Sequence, residues 1–174
     1  MATVSGGTIA ISGTVLAEYL RRRHEDDSGV EARRRATYTE FIDAAGVCHA
    51  RLRQLARSPG AAAAADLDAA GRAALSEAGV YEARERLFID ATPSVAAAGQ
   101  AMFERLRALQ RAVAAGAALS SPAFHDAYHP YIDAVWRYRV AVRAEVEGRS
   151  LAPADFGWAD WDGRDRCTLC AGTS

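Results

Sequence analysis

Residues 92–113 read TPSVAAAGQAMFERLRALQRAV, and their spacing decides the fold. Val95, Gly99, Met102, Leu106, Leu109 and Val113 follow one another at steps of 4, 3, 4, 3 and 4. That period gathers small and apolar side chains onto one face of an α-helix. Thr92 can cap the start, and Pro93 at the first helical position gives up no hydrogen bond, because the N–H there has no partner inside the helix. Gly116 stands where such a helix ends.

The same pattern extends in both directions. Downstream, Ser121-Pro122 repeats the start chemistry, Phe124, Tyr128, Tyr131, Val135, Tyr138 and Val142 form a second stripe, and Gly148 ends it. Upstream, Tyr38, Phe41, Ala45, Cys48, Leu52 and Leu55 mark an amphipathic helix from about Val30 to Arg57, stopped by Ser58-Pro59-Gly60. Between them, Ala61 to Asp90 reads as one further helix with Leu67, Gly71, Ala74, Ala78 and Tyr81 on its stripe and Leu87 and Phe88 closing it. Gly71 and Gly79 weaken that run by about 1 kcal/mol each relative to alanine. No alternating strand pattern competes. Four amphipathic runs with short Pro/Gly connections predict an all-α, antiparallel up-down four-helix bundle over 30–148. An apolar segment and charged lead-in (1–29) precede it, and an irregular tail (149–174) follows.

Composition agrees with a soluble globular chain: 174 residues, half of them apolar, with 21 basic against 22 acidic side chains. All 21 basic residues are arginine, and 40 residues are alanine. Both favour helix, and both follow from GC-rich coding, the mark of a high-GC bacterium. Three cysteines are too few and too odd a number for a secreted disulfide scaffold, so a reducing, cytoplasmic compartment is expected.

Residues 2–17 carry no charge, and Arg21, Arg22 and Arg23 follow. A signal peptide would open on positive charge, and Gly, Ser and Thr dilute the run too far for an ordinary transmembrane helix. Three readings of residues 1–20 stay open: a frayed terminus, a weak membrane anchor, or a contact with a protein partner or a second copy of the chain through Ile9, Ile11, Val15, Leu16 and Leu20.

The segment Arg33-Arg34-Arg35-Ala36-Thr37-Tyr38-Thr39-Glu40-Phe41-Ile42, with Arg84-Glu85-Arg86-Leu87-Phe88 and Arg143-Ala144-Glu145-Val146, resembles a diffuse class of uncharacterised actinobacterial helical proteins. The resemblance covers roughly residues 9–148. It implies a helical fold with a hydrophobic N-terminal segment, and it supplies no catalytic residues; the cysteine-bearing tail departs from it.

The chemistry-bearing residues are few. His125 and His129 stand one helical turn apart on one face, and Cys167-Thr168-Leu169-Cys170 is half of a tetrahedral zinc site. Together they supply the four ligands that a structural Zn²⁺ requires. Against this stand the 37 residues 130–166 between the two pairs, which is no finger spacing, and Pro130, read as placing His129 in the first turn of its helix. The cysteine pair lacks the strand–helix context of a thioredoxin-type redox site. No Glu-x-x-His di-iron motif, no Gly-x-Ser-x-Gly and no Gly-x-Gly-x-x-Gly occurs, and without lysine there is no phosphate-binding P-loop. Cys48-His49 is no dyad, since neighbouring helical side chains diverge, and Cys48 belongs to the core. Tyr128, Tyr131, Tyr138 and Trp136 read as core and rim. Glu25, Asp26, Asp27 and Glu31 offset Arg21–Arg23 and Arg33–Arg35, so nucleic-acid binding is not expected.

The expectation is therefore a non-enzymatic helical bundle acting through protein–protein or membrane-proximal contacts. The alternatives are a structural zinc protein using His125, His129, Cys167 and Cys170, and a small-molecule binder or enzyme with a cavity between helices.

Overall fold

The four stripes become five α-helices: α1 (Gly7–Ala56), α2 (Ala64–Glu77), α3 (Val80–Asp90), α4 (Pro93–Ala114) and α5 (Pro122–Glu147). The computed structural model describes the backbone of residues 7–57 and 64–170 and the side chains of residues 28–57 and 66–170. Among the described residues there is no strand, and no helix is long and apolar enough to cross a membrane. The side chains assigned above to partner or lipid contact in residues 1–20 lie outside the described ones. The chain divides within α1 into a unit of residues 1–36 and a unit of residues 37–174. In the first, Glu31 and Arg35 pair one turn apart on an exposed face.

In the second unit α4 supplies the middle of the core. All six residues of its stripe are buried, and α2, α3 and α5 pack against it. Tyr38, Phe41, Ala45, Cys48 and Leu52 of α1 join them, as do Phe124, Tyr131, Val135 and Tyr138 of α5. Each large apolar side chain buried this way contributes roughly 1.5–3 kcal/mol. The tyrosine hydroxyls that enter the core are satisfied. Tyr138 Oη donates to the Tyr38 carbonyl at 3.1 Å, Tyr131 Oη to the Ala45 carbonyl at 3.4 Å, and Tyr38 Oη to Glu145 at 2.7 Å.

Three expectations are corrected. The run expected over 61–90 is not one helix: from Ala64 on it forms two, so the described residues hold five helices where four were expected. Gly79 takes a left-handed φ of +67°, which glycine adopts without strain, and the chain restarts there as α3. The restart resets the helical phase: Val80, Ala83 and Leu87 face inward, while Tyr81 and Phe88 are exposed. Thr92 begins α4 without capping it; its hydroxyl donates instead to the Glu145 carboxylate, tying α4's start to α5's end. His129 lies two full turns inside α5, which begins at Pro122. Pro130 is thus an internal proline, and its missing N–H leaves the Asp126 carbonyl without its helical donor.

Other local signals hold. Ser121 Oγ accepts from the Phe124 N–H at 3.2 Å, and Gly148 closes α5 with φ +64°. Arg86-Leu87-Phe88-Ile89 is helix, at the end of α3. Leu119 in the α4–α5 connection donates its N–H to the Ala56 carbonyl at 2.8 Å, which fixes this connection against the end of α1.

Among the described residues the tail, 149–170, is irregular apart from short 3-10 turns at Pro153–Phe156 and Arg164–Arg166. It is anchored by aromatic contact. Trp161, nearly buried, stacks on Trp136 of α5 with ring centroids 4.8 Å apart and planes 12° apart, and Phe156 and Trp158 pack around the same ring.

Candidate metal centre

His125 and His129 occupy successive turns of α5, and Cys167 and Cys170 sit on the turn that follows the second 3-10 segment, where the Cys170 N–H donates to the Cys167 carbonyl at 3.1 Å. One ligand atom from each of the four lies within 4.8 Å of every other. His125 Nδ1 is 3.4 Å from His129 Nε2 and 3.5 Å from each sulfur. Around a zinc ion at ~2.05 Å from nitrogen and ~2.3 Å from sulfur, a tetrahedron separates two nitrogens by ~3.35 Å and a nitrogen from a sulfur by ~3.55 Å. The three separations fit those values.

The outer nitrogens of both rings are committed elsewhere. His125 Nε2 lies 3.1 Å from the Leu119 carbonyl and His129 Nδ1 lies 2.8 Å from the Asp162 carbonyl. A carbonyl only accepts, so each of these nitrogens carries the proton and donates it. In the neutral tautomers the inner nitrogens, His125 Nδ1 and His129 Nε2, present lone pairs to one another in an environment where His129 is 1% exposed. Two lone pairs at 3.4 Å repel unless a positive charge or a thiol proton lies between them. Carbonyl-oriented imidazoles whose free nitrogens converge are the usual outer shell of a metal site.

The two thiols are electrostatically unequal. Desolvation opposes ionisation of Cys167, yet hydrogen bonds from the Leu169 and Cys170 backbone and the Cys170 thiol, with the field of Arg164, bring it below the ordinary thiol range. Cys170 is raised by desolvation and by its neighbour Cys167. Arg164 lies 3.7 Å from Asp126 of α5 and 3.5 Å from Asp162, so it holds the cysteine turn against the helix that carries the histidines.

All four residues singled out from the sequence are thus brought together. The 37 residues that seemed to separate the pairs are a path out and back. The chain follows α5 for a further ~27 Å from His129 to Glu147 at 1.5 Å per residue, and the tail then returns along it. The Leu119 and Asp162 carbonyls could not be foreseen, since backbone acceptors have no residue signature. The visible signal for the return was aromatic: Trp136 on α5 and Phe156, Trp158 and Trp161 in the tail.

Cys48 and His49 take no part. Cys48 is fully buried in the core, and burial pushes its thiol up to about 12. His49 packs against Tyr128 and Tyr131 with centroids 5.6 and 5.1 Å away. No known protein family, curated protein or solved structure matches the chain. The class that the fold and site define is an all-α protein with a candidate Cys₂His₂ metal centre joining its last helix to its tail.

Proposed function

We propose that the chain is a non-enzymatic helical binding module whose C-terminal tail is clamped to the bundle by one structural zinc ion. The ligands are His125 Nδ1, His129 Nε2, Cys167 Sγ and Cys170 Sγ. The observation that carries this reading is the pair of inward ring nitrogens at 3.4 Å, with both outer nitrogens bound to carbonyls. Two thiolates and two neutral imidazoles suit Zn²⁺ among the common divalent ions, and two thiolates cancel its charge. Four protein ligands leave no open position for substrate, which favours a structural over a catalytic role. The scaffold in this reading is the antiparallel up-down arrangement of four helical runs, the second bent at Gly79. The short connections between helices support it. The free thiols such a site needs fit a reducing compartment.

Elemental analysis of the purified chain tests the proposal. One zinc per chain is expected in the wild type, falling to near zero in Cys170→Ser and in His125→Ala. Cobalt substitution should give the intense visible bands of a tetrahedral thiolate site. A chain purified with zinc supplied throughout, folded by circular dichroism and still free of bound metal, would sink the reading.

A further inference from the structure

Beneath the clamped tail lies a cavity of about 470 Å³, within the range of small-molecule sites. Leu119, Phe124, Tyr128 and Ile132 give it an apolar wall, and two exposed arginines, Arg53 of α1 and Arg166 of the tail, also line it. Neither arginine has a carboxylate partner among the described residues; Arg166 only lies over the Trp158 ring at 5.8 Å. One carboxylate also lines the space, that of Asp162, and it is already engaged. Its Oδ1 accepts from the Arg164 N–H at 2.9 Å and its Oδ2 is 3.5 Å from the Arg164 side chain. His125, His129 and Cys167 of the proposed metal centre line this same space; that centre is neutral when two thiolates hold Zn²⁺, so the two arginines set the sign of the cavity.

We infer that this cavity binds a small organic anion: a free acid with an aromatic or aliphatic body of drug-like size, its charged head met by Arg53 and Arg166 and its body laid on Leu119, Phe124, Tyr128 and Ile132. The guanidinium fork suits a carboxylate, sulfonate or phosphate head. The apolar wall gains by removing the body from water. The tail forms one side of the site, which gives the clamp a use: zinc holds Arg166 in place across from the helices. The inference thus extends the zinc reading, yet the cavity and its two arginines stand on their own geometry.

The probe is 8-anilinonaphthalene-1-sulfonate, compared with N-phenyl-1-naphthylamine, the same body without the sulfonate. Fluorescence titration of the full chain, with zinc content measured on the same sample, should show one saturable sulfonate site. Arg53→Gln and Arg166→Gln should each weaken it about tenfold, the effect of one charge-assisted hydrogen bond, and leave the neutral analogue unchanged. Ile132→Trp should fill the cavity and remove both signals, with circular dichroism confirming that each variant is folded. Decanoate should displace the probe, whereas phosphatidylglycerol vesicles should not. The inference is overturned if the folded chain shows no saturable site, if both arginine variants bind as the wild type does, if the signal survives Ile132→Trp, or if vesicles and not decanoate displace the probe. Zinc-free protein that still binds with arginine dependence would refute the clamp and leave the cavity inference standing.

Discussion

His49 shows how burial alone can set a residue's chemistry. Desolvation, helped by the field of Arg53, lowers its pKa from 6.5 to about 4, and its Nε2 is buried with no hydrogen-bond partner. The folded chain therefore holds this imidazole neutral while the unfolded chain protonates it below pH 6.5. Stability from this group is full above pH 6.5, is lost as pH falls toward 4, and changes no further below that. At pH 5 the loss is about 2 kcal/mol. Urea midpoints measured from pH 7.5 to 4.5 should fall more steeply for the wild type than for His49→Gln; every other ionisable group is common to both, so the difference isolates His49. Parallel curves would show that the ring is solvated. Cys48 follows the same rule: desolvation raises its thiol out of the reactive range, leaving the tail cysteines as the available pair.

At the scale of helices, close approach is the constraint. A Cβ on Gly99 would stand 2.3 Å from Leu87 Cδ2, 3.3 Å from the Phe41 ring and 3.4 Å from the Tyr138 ring. α4 thus meets α1, α3 and α5 at a point with no room for a methyl group. Gly99→Ala should cost roughly 1–3 kcal/mol through overpacking, lowering Tm by several degrees. An unchanged Tm would mean that Leu87 moves aside freely. Gly99 was legible as a member of the α4 stripe because the period placed it there, but nothing in the period revealed that three other helices converge on it. The stripes of α1, α4 and α5 were readable for the same reason: each is long and keeps one phase. The 61–90 run failed because its phase is not continuous. Gly79 inverts the backbone, and a count of apolar spacing carried across it assigns Tyr81 and Phe88 to the wrong side. Thr92 shows a further limit. The residue type fits a cap, yet a carboxylate 53 positions away takes the hydroxyl.

For the whole molecule the question is what holds the tail. Its ligand residues were legible as types, while their meeting depended on a long-range return that local spacing rules do not test. Three attachments support that return: Trp161 on Trp136, the Asp162 carbonyl on His129, and Arg164 beside Asp126. The last is an exposed pair worth at most about 1 kcal/mol, and the second joins the tail to a candidate metal ligand. In the proposed zinc-bound form the ion would tie Cys167 and Cys170 to α5 and be the dominant link at the far end of the tail, stabilising the attached state according to its free concentration relative to its Kd. The helices do not depend on it, because the core of α1, α4 and α5 is built from other residues. Chelation should therefore leave the far-UV helix signal within a few per cent of its starting value while changing the near-UV signal of the tryptophan cluster. Trypsin supplies the sharper readout, since Arg164 and Arg166 lie in the exposed turn before Cys167. Cleavage there should accelerate at least tenfold in chelator and return to the slow rate when zinc is restored. Equal cleavage rates with and without metal would mean that the aromatic cluster alone holds the tail; loss of the helix signal on chelation would mean that the bundle itself is built on the metal.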